Sequence, residues 1–465
     1  MQPSDTRDPG WYHQVIDCQW ACPSHTPVPQ YIRLIAQGRY TDAYMVNWVS
    51  NVFPGILGRT CDRPCEPACR RLRVEEGNAP HPEPVAICRL KRVAADHKDD
   101  ILDRMPKRQP ANGKRIACVG AGPASLTVAR DLAPLGYDVT VFDAETQAGG
   151  FMRSRIPRFR LPDHVLDEET GYVLNLEGVT FKSGQRVGSM RALLAVGYDA
   201  IFVGSGAPHG QDLDLPGRKE AGAHIHIGIE WLASVYFGHI DHIGKRVIVL
   251  GGGNTAMDCC RTARRLMKGG RVTVSYRRTR ASAPADPEEI KAAMEEDIGF
   301  EFLTAPVEVI VEDGRVTGIR LVRMAEGEPD ASGRRSVRPV EGSEFVVPCR
   351  YVIAAIGQKL DTSIFCEADG IRLTKRGTIE VDESLRTSRE GVFAGGDASS
   401  GPTSLIWGMA QGQNAAMAIH EYLMTDAPGF NPRLRFADLI RKADLLGKCV
   451  PDRPVVFRPR REIGM

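Results

Sequence analysis

Twelve cysteines are present, and six of them fall before residue 90: Cys18, Cys22, Cys61, Cys65, Cys69 and Cys88. Cys61-Asp-Arg-Pro-Cys65-Glu-Pro-Ala-Cys69 places a thiol every four residues, and Cys18-Gln-Trp-Ala-Cys22-Pro repeats that interval. The Cys-Pro step is a feature of iron–sulfur loops, where thiolates hold the irons. Four thiolates also suit zinc, and plain buried thiols are the third alternative. Clustered cysteines in a reducing compartment point to metal or redox chemistry rather than to disulfides. The other six, Cys118, Cys259, Cys260, Cys349, Cys366 and Cys449, are dispersed. Cys259 and Cys260 are adjacent and lack the C-x-x-C spacing of a redox dithiol; like Cys118, they are expected to be core residues. His224, His226, His239 and His242 have no Cys or carboxylate framework around them and carry no metal expectation.

Two glycine-rich turns carry the second kind of chemistry. The first follows a short apolar run, Lys114–Val119, and reads Gly120-Ala-Gly122-Pro123-Ala124-Ser125. A helix to about Leu135 and a strand Asp138–Phe142 come next, ending at Asp143. This is the order of a dinucleotide fold: the first glycine makes the turn, and the second lets the backbone approach a pyrophosphate on the free N–H groups of the helix. Asp143 stands where a carboxylate would bond a ribose hydroxyl. Ser125 replaces the third glycine, which weakens the match. A tight turn without a ligand is the competing reading of such a motif alone. A distant segment, Glu390–Ala398, supports the ligand: it reads as a strand ending in Gly395-Gly396-Asp397, followed by a helix from Thr403. That pairing points to FAD, with Asp397 on its ribityl and phosphate oxygens. Trp407 follows, against the flavin or in the core.

The second turn follows Lys245–Leu250 and reads Gly251-Gly-Gly253-Asn254-Thr255-Ala256. Its next strand ends in Tyr276-Arg277-Arg278 instead of an acid. Paired guanidiniums suit a 2′-phosphate, so NADPH is expected, with NADH the alternative and a solvated basic turn the bland one. Two dinucleotide motifs in one chain imply two dinucleotides. No Ser/His/Asp set, carboxylate pair or metalloprotease motif stands out.

These motifs need elements to hold them. The 465 residues are enough for about three domains. Hydrophobic residues are 42% and charged residues 25%, ordinary for a globular protein. Lys+Arg 60 against Asp+Glu 58 leaves a net charge of +2, which gives no case for nucleic acid or a membrane surface. No apolar run approaches the ~20 residues of a membrane-spanning helix. The polar start, Met1 to Gly10, has no signal-like apolar core, so a cytoplasmic location is expected. The division read from composition is a helical head over 1–108, with helices at Val28–Gln37 and Thr41–Val49, and a linker at 109–113. Then comes α/β alternation: one dinucleotide domain over 114–240 and 345–428, a second over 241–344, and a Pro- and Arg-rich extension over 429–465 with one short helix near Phe436–Leu446.

Over roughly residues 10–425 the chain resembles the small (beta) subunit of glutamate synthase and its relatives. These include the electron-input part of dihydropyrimidine dehydrogenase and the large subunit of NADH-dependent ferredoxin:NADP oxidoreductase. The resemblance is carried by Cys22-Pro, Gly58-Arg59 before Cys61, Cys65-Glu66, Pro84-Val85 and Leu90-Lys91-Arg92. It continues through Gly149-Gly150, Ile156-Pro157, Phe159-Arg160-Leu161-Pro162, Gly251–Asp258, Tyr276–Arg278, Ala355-Ile356-Gly357 and Gly395-Gly396-Asp397. It implies a helical iron–sulfur domain followed by interleaved FAD and NADPH domains, with Gly149, Gly150, Arg160 and Gly357 also near cofactors. It further implies an electron-accepting partner, either a large subunit or an iron–sulfur or flavin protein, as in glutamate synthase or a complex of sulfur metabolism. A non-catalytic redox-sensing or structural module, an NADH-linked electron-transfer subunit and a single-chain reductase are the rival readings.

Members of that family carry two [4Fe–4S] clusters in the head, and their first cysteine stretch holds four thiols. Here it holds two. By resemblance Cys22, Cys61 and Cys65 match three ligands of one cluster, whose fourth is a non-Cys side chain at the position of Lys91. Cys88, one helical turn earlier, is the expected replacement. Cys18 and Cys69 match the other cluster, which is then lost or completed from elsewhere, including a partner.

Overall fold

The computed structural model describes residues 16–73, 83–329 and 335–425. The extension expected over 429–465, with its helix near Phe436–Leu446, lies outside the described residues. The chain divides into two compact units: Met1–Met152 with Arg160–Gly206 and Thr362–Met465, and Arg153–Phe159 with Ala207–Asp361.

In the first unit, four helices, Val28–Ala36, Tyr40–Ser50, Pro54–Thr60 and Ile87–Asp96, preceded by the short helix Asp17–Ala21, build the head among the described residues. Pro54 stands at the start of its helix, where the missing N–H costs no intrahelical bond. Gly58 is needed where the third and fourth helices cross, since a Cβ there would lie 2.7 Å from the Arg92 backbone. The same unit contains a parallel sheet ordered Val392–Ala394, Ala200–Val203, Arg115–Val119, Asp138–Phe142, Val179–Lys182. The central strand Arg115–Val119 is buried from Ile116 onward, as expected where helices cover both faces. Helix Pro123–Leu132 follows it.

The second unit repeats the plan. Its parallel sheet runs Ile225–Ile227, Tyr351–Ala354, Arg246–Leu250, Arg271–Tyr276, Gly299–Phe302. An antiparallel group, Thr304–Glu312, Arg315–Pro329, Arg335–Pro339 and Phe345–Pro348, is inserted before the return strand. Strand pairing therefore draws the boundaries at 207 and 361 rather than at 241 and 344. Composition could not find them, because Ile225–Ile227 and Tyr351–Ala354 join this sheet only through long-range pairing. In both sheets the strand bearing the glycine turn lies at the reversal of strand order, the place where open α/β sheets bind ligands.

Candidate cofactor sites

In the first unit the distant motifs converge on the glycine turn. Gly120 takes φ +95°, and a Cβ on it would sit 2.7 Å from the Gly204 carbonyl at the end of the neighbouring strand. The Gly149 N–H donates to the Ala121 carbonyl (2.9 Å), and a Cβ on Gly150 would lie 3.0 Å from Gly122 Cα. Gly396 takes φ +65° and abuts Ala124, 3.2 Å from Cβ to Cβ were it alanine. So Gly120, Gly122, Pro123, Ala124, Gly149, Gly150 and Gly396 form one cradle at the start of helix Pro123–Leu132. No side chain caps that helix at Gly122, so its first N–H groups remain available to a phosphate.

Ser125 is tolerated because it faces Gly204, where a Cβ would approach the hydroxyl oxygen to 2.3 Å. The Asp143 carboxylate accepts from the N–H groups of Ala121 (2.6 Å) and Glu145 (2.8 Å), which ties the strand end to the glycine turn. Burial raises its pKa against those bonds. Asp397 is also buried, which raises its pKa; one of its oxygens accepts from the Thr403 N–H (2.9 Å) and hydroxyl (3.0 Å). Arg160 is half-buried in the turn before helix Asp163–Leu174. Trp407 is 51% exposed, so ordinary core packing does not account for it.

In the second unit Gly251 takes φ +142°, and a Cβ there would lie 2.3 Å from the Ala355 carbonyl. Gly252, not singled out from sequence, closes on the Tyr276 ring, with a Cβ 2.5 Å away. Gly253 starts helix Asn254–Leu266 without a side-chain cap. Asn254 accepts from the Asp286 N–H (2.9 Å), fixing the loop beside the turn. Thr255 is half-buried and Ala256 fully buried in the first helical turn. Arg277 is exposed and Arg278 half-buried; neither pairs with a carboxylate among the described residues, and the Arg278 Nε is a buried donor with no partner. That donor set suits a phosphate. Gly357, two residues after Ala355, takes φ +145° against the Gln211 side chain, and its carbonyl accepts from the Gln211 N–H (2.9 Å).

In the head, Cys22, Cys61, Cys65 and Cys88 are buried free thiols brought together by the turn after Asp17–Ala21, the end of helix Pro54–Thr60 and the start of helix Ile87–Asp96. Interaction with Cys88, then burial, push the Cys61 thiol up. The Cys88 thiol is pushed up as well: its interaction with Cys61 opposes the rise, and Cys65 and burial outweigh it. Lys91 is 3% exposed beside them. Burial works to lower its pKa, but Cys88, Cys61, Cys22 and Cys65 outweigh burial and raise it. Cys18 lies near Cys69, and burial first and Cys69 second push it up. Among the described residues no group of three or more His, Cys, Asp and Glu closes around a point as a single-ion site would. A four-iron cubane is wider than an ion and spreads its thiolates accordingly. Four buried free thiols are the kind and number of donors such a cluster needs.

Sequence reasoning missed what fixes the head to the first sheet. Glu169, on helix Asp163–Leu174, accepts from the N–H groups of Gly55 (2.6 Å) and Ile56 (2.8 Å) and from the Tyr44 hydroxyl (2.8 Å). It caps the helix that leads into Cys61. Burial pushes its pKa up to about 7 against those bonds. Arg130 is fully buried on helix Pro123–Leu132 and donates to the Trp48 and Val49 carbonyls. Nothing in the local sequence marks these ties to the head, since the partners there lie 81 to 125 positions away; Arg130 pairs besides with the adjacent Asp131. Cys118, Cys259 and Cys260 are buried core residues. Of the four histidines, His226 stacks on Tyr351 and His242 pairs with Asp241.

Comparison with known proteins agrees with this geometry. Residues 13–101 match the model described as dihydropyrimidine dehydrogenase domain II, 4Fe-4S cluster. The chain is 39% identical over 435 residues to NADP(+)-dependent formate dehydrogenase subunit beta of Moorella thermoacetica, covering 87% of this chain and 60% of the relative. It is 37% identical to NADPH-Fe(3+) oxidoreductase subunit beta of Geobacter sulfurreducens (90% of this chain, 66% of the relative). It is 33% identical to the glutamate synthase [NADPH] small chain of Escherichia coli (87% and 88%). The chain thus spans less than two thirds of the length of the first two. Among solved structures, Mycobacterium tuberculosis FprA in complex with NADPH shares the fold at a TM-score of 0.57 and 19% identity, over 74% of this chain and 91% of that one. With residues 114–418 matching the pyridine nucleotide-disulphide oxidoreductase model, the chain belongs to that family of oxidoreductases, in the branch that carries an N-terminal 4Fe–4S domain.

Proposed function

We propose that the chain is the electron-input subunit of a larger oxidoreductase, with NADPH as donor, FAD and one [4Fe–4S] centre as carriers, and a partner subunit as acceptor. The observation that carries this reading is the buried array of Cys22, Cys61, Cys65 and Cys88 in the same compact unit as the Gly120–Gly396 cradle. A thiolate-held one-electron site and a dinucleotide cradle in one compact unit make a relay. When bound, the flavin converts a hydride into single electrons, and the cluster carries these one at a time.

The chain's own residues bind and orient. The cradle glycines admit the pyrophosphate, and the open start of helix Pro123–Leu132 meets its charge. Asp143 and Asp397 accept hydroxyls of the ribose and ribityl chain. Gly251, Gly253, Asn254, Thr255 and Ala256 form the second pyrophosphate seat, and Arg277 with Arg278 takes the 2′-phosphate. No side-chain acid or base is required for hydride transfer. Cys18 and Cys69 remain a half-set, completed only if other ligands are supplied.

The relatives are named for different reactions, so the acceptor is assigned to the partner subunit rather than to this chain. Anaerobic mixing with NADPH and then with NADH, followed by flavin absorbance and reduction of an artificial dye, tests the reading. The expected result is flavin bleaching and dye reduction with NADPH, and much weaker reduction with NADH. Protein that binds flavin and iron yet is reduced by neither nucleotide contradicts it.

A further inference from the structure

Lys91 poses a physical problem. An ammonium group removed from water costs several kcal/mol unless an anion compensates it. Lys91 is 3% exposed, and among the described residues no carboxylate pairs with it. One oxygen of Glu66, the acid that follows Cys65, accepts from the Cys88 N–H at 3.1 Å. The thiols of Cys88, Cys61, Cys22 and Cys65, in that order, act on its charge, and Cys88 lies one helical turn before it on the same helix. Neutral thiols would leave a buried cation uncompensated. Thiolates holding a cluster would compensate it, and their combined negative charge would in turn need the cation.

Geometry places Lys91 to act on the cluster without replacing a ligand. It lies three residues after Cys88 on helix Ile87–Asp96, so both side chains project from one face. Four thiols already fill the ligand set. Lysine is a compact point charge on a flexible stem. Cluster potentials respond to net charge, hydrogen bonds and solvent exposure, and a fixed positive charge favours the form that has gained an electron.

We propose that Lys91 is the built-in counter-charge of the iron–sulfur centre, raising its reduction potential towards that of its electron donor without ligating iron. No bond forms or breaks at Lys91. The centre gains one electron from the reduced flavin, and the ammonium stays protonated throughout. The inference rests on the four-cysteine assignment above, and the experiment separates the two.

Wild type, Lys91→Met and Lys91→Arg, each as the full chain with its flavin, are purified anaerobically. Iron and sulfide are counted, and the cluster is titrated with redox mediators while electron paramagnetic resonance is recorded. If wild type carries no iron and sulfide, the four-cysteine reading itself fails. If it carries them, Lys91→Met is expected to keep its iron but to shift the one-electron reduction equilibrium at least tenfold towards the oxidised form, which is about 59 mV. Lys91→Arg should stay close to wild type, and the flavin midpoint should not move. Loss of iron in Lys91→Met with retention in Lys91→Arg also supports a charge requirement. Wild-type iron with an unchanged cluster midpoint in Lys91→Met overturns the proposal. Loss of iron in both variants overturns it too, since the amine would then be acting as a ligand or by its shape.

Discussion

Cys88 stands buried one helical turn before Lys91, and the proposed ligand set takes it as the fourth thiol. Cys88→Ser should at least halve the iron bound to the purified protein, measured by colorimetric iron and sulfide assay, whereas Cys69→Ser should leave it unchanged. Equal iron in Cys88→Ser and wild type would remove Cys88 from the set. At the second turn, Arg277→Ala and Arg278→Ala should each raise KM for NADPH roughly tenfold or more, the loss expected for a charge-assisted hydrogen bond. Steady-state dye reduction with both nucleotides checks this: KM for NADH should change little, and an equal effect on the two would detach the arginines from the 2′-phosphate. The spacing of the cysteines and the Tyr-Arg-Arg strand end were legible from residue types, because each motif is local. The burial of Lys91 was not, since it depends on three separate segments meeting.

Helices and strands carry the next level of argument. Helix Pro54–Thr60 delivers Cys61, and Glu169 accepts its first N–H groups from another helix. Glu169→Ala would leave those donors and the Tyr44 hydroxyl unpaired in a buried site, at a cost of about 1–3 kcal/mol for each unsatisfied group. The expected readout is a lower thermal midpoint together with partial loss of iron, because the helix bearing Cys61 loses its anchor. Glu169 also makes stability depend on pH. Its carboxyl titrates at about 7 when folded and near 4.5 when unfolded, so between those values the folded chain holds the extra proton. The contribution is complete below 4.5, declines as pH rises to about 7 and is lost above it, to a total of roughly 3 kcal/mol. Denaturant melts between pH 4.5 and 8 should show that decline in wild type and lose it in Glu169→Gln; the same slope in both would assign it to another group. In the cradle, Gly396→Ala forces a side chain into a φ of +65° and against Ala124. It should lower flavin content, measured by absorbance after denaturation. Elements were read well from sequence where the signal is periodic or punctuated. The strand expected at Lys114–Val119 is Arg115–Val119, and the helices expected at Val28–Gln37 and Thr41–Val49 are Val28–Ala36 and Tyr40–Ser50. Glu169 and Arg130 were invisible because a buried polar tie between distant elements leaves no mark on either local pattern.

Across the whole molecule, two sheets of the same plan account for two dinucleotides, and the head on the first unit accounts for a route onward. Duplication of the glycine turn made that plan legible. The boundaries at 207 and 361 were not, because the return strand Tyr351–Ala354 comes back after the antiparallel insertion and pairs with Arg246–Leu250. The insertion makes the second unit discontinuous in composition while it remains continuous in pairing. Among the described residues no helix is long and apolar enough to cross a membrane. The central proposal is one flow of charge within this chain, from NADPH through flavin to thiolate-bound iron. Anaerobic addition of stoichiometric NADPH to the full chain, read by flavin absorbance and by low-temperature electron paramagnetic resonance on the same sample, measures it directly. The expected result is bleaching of the flavin together with a reduced-cluster signal that is absent from Cys88→Ser; a flavin that bleaches while the iron in wild type stays oxidised, even with a mediator dye present, would contradict that flow.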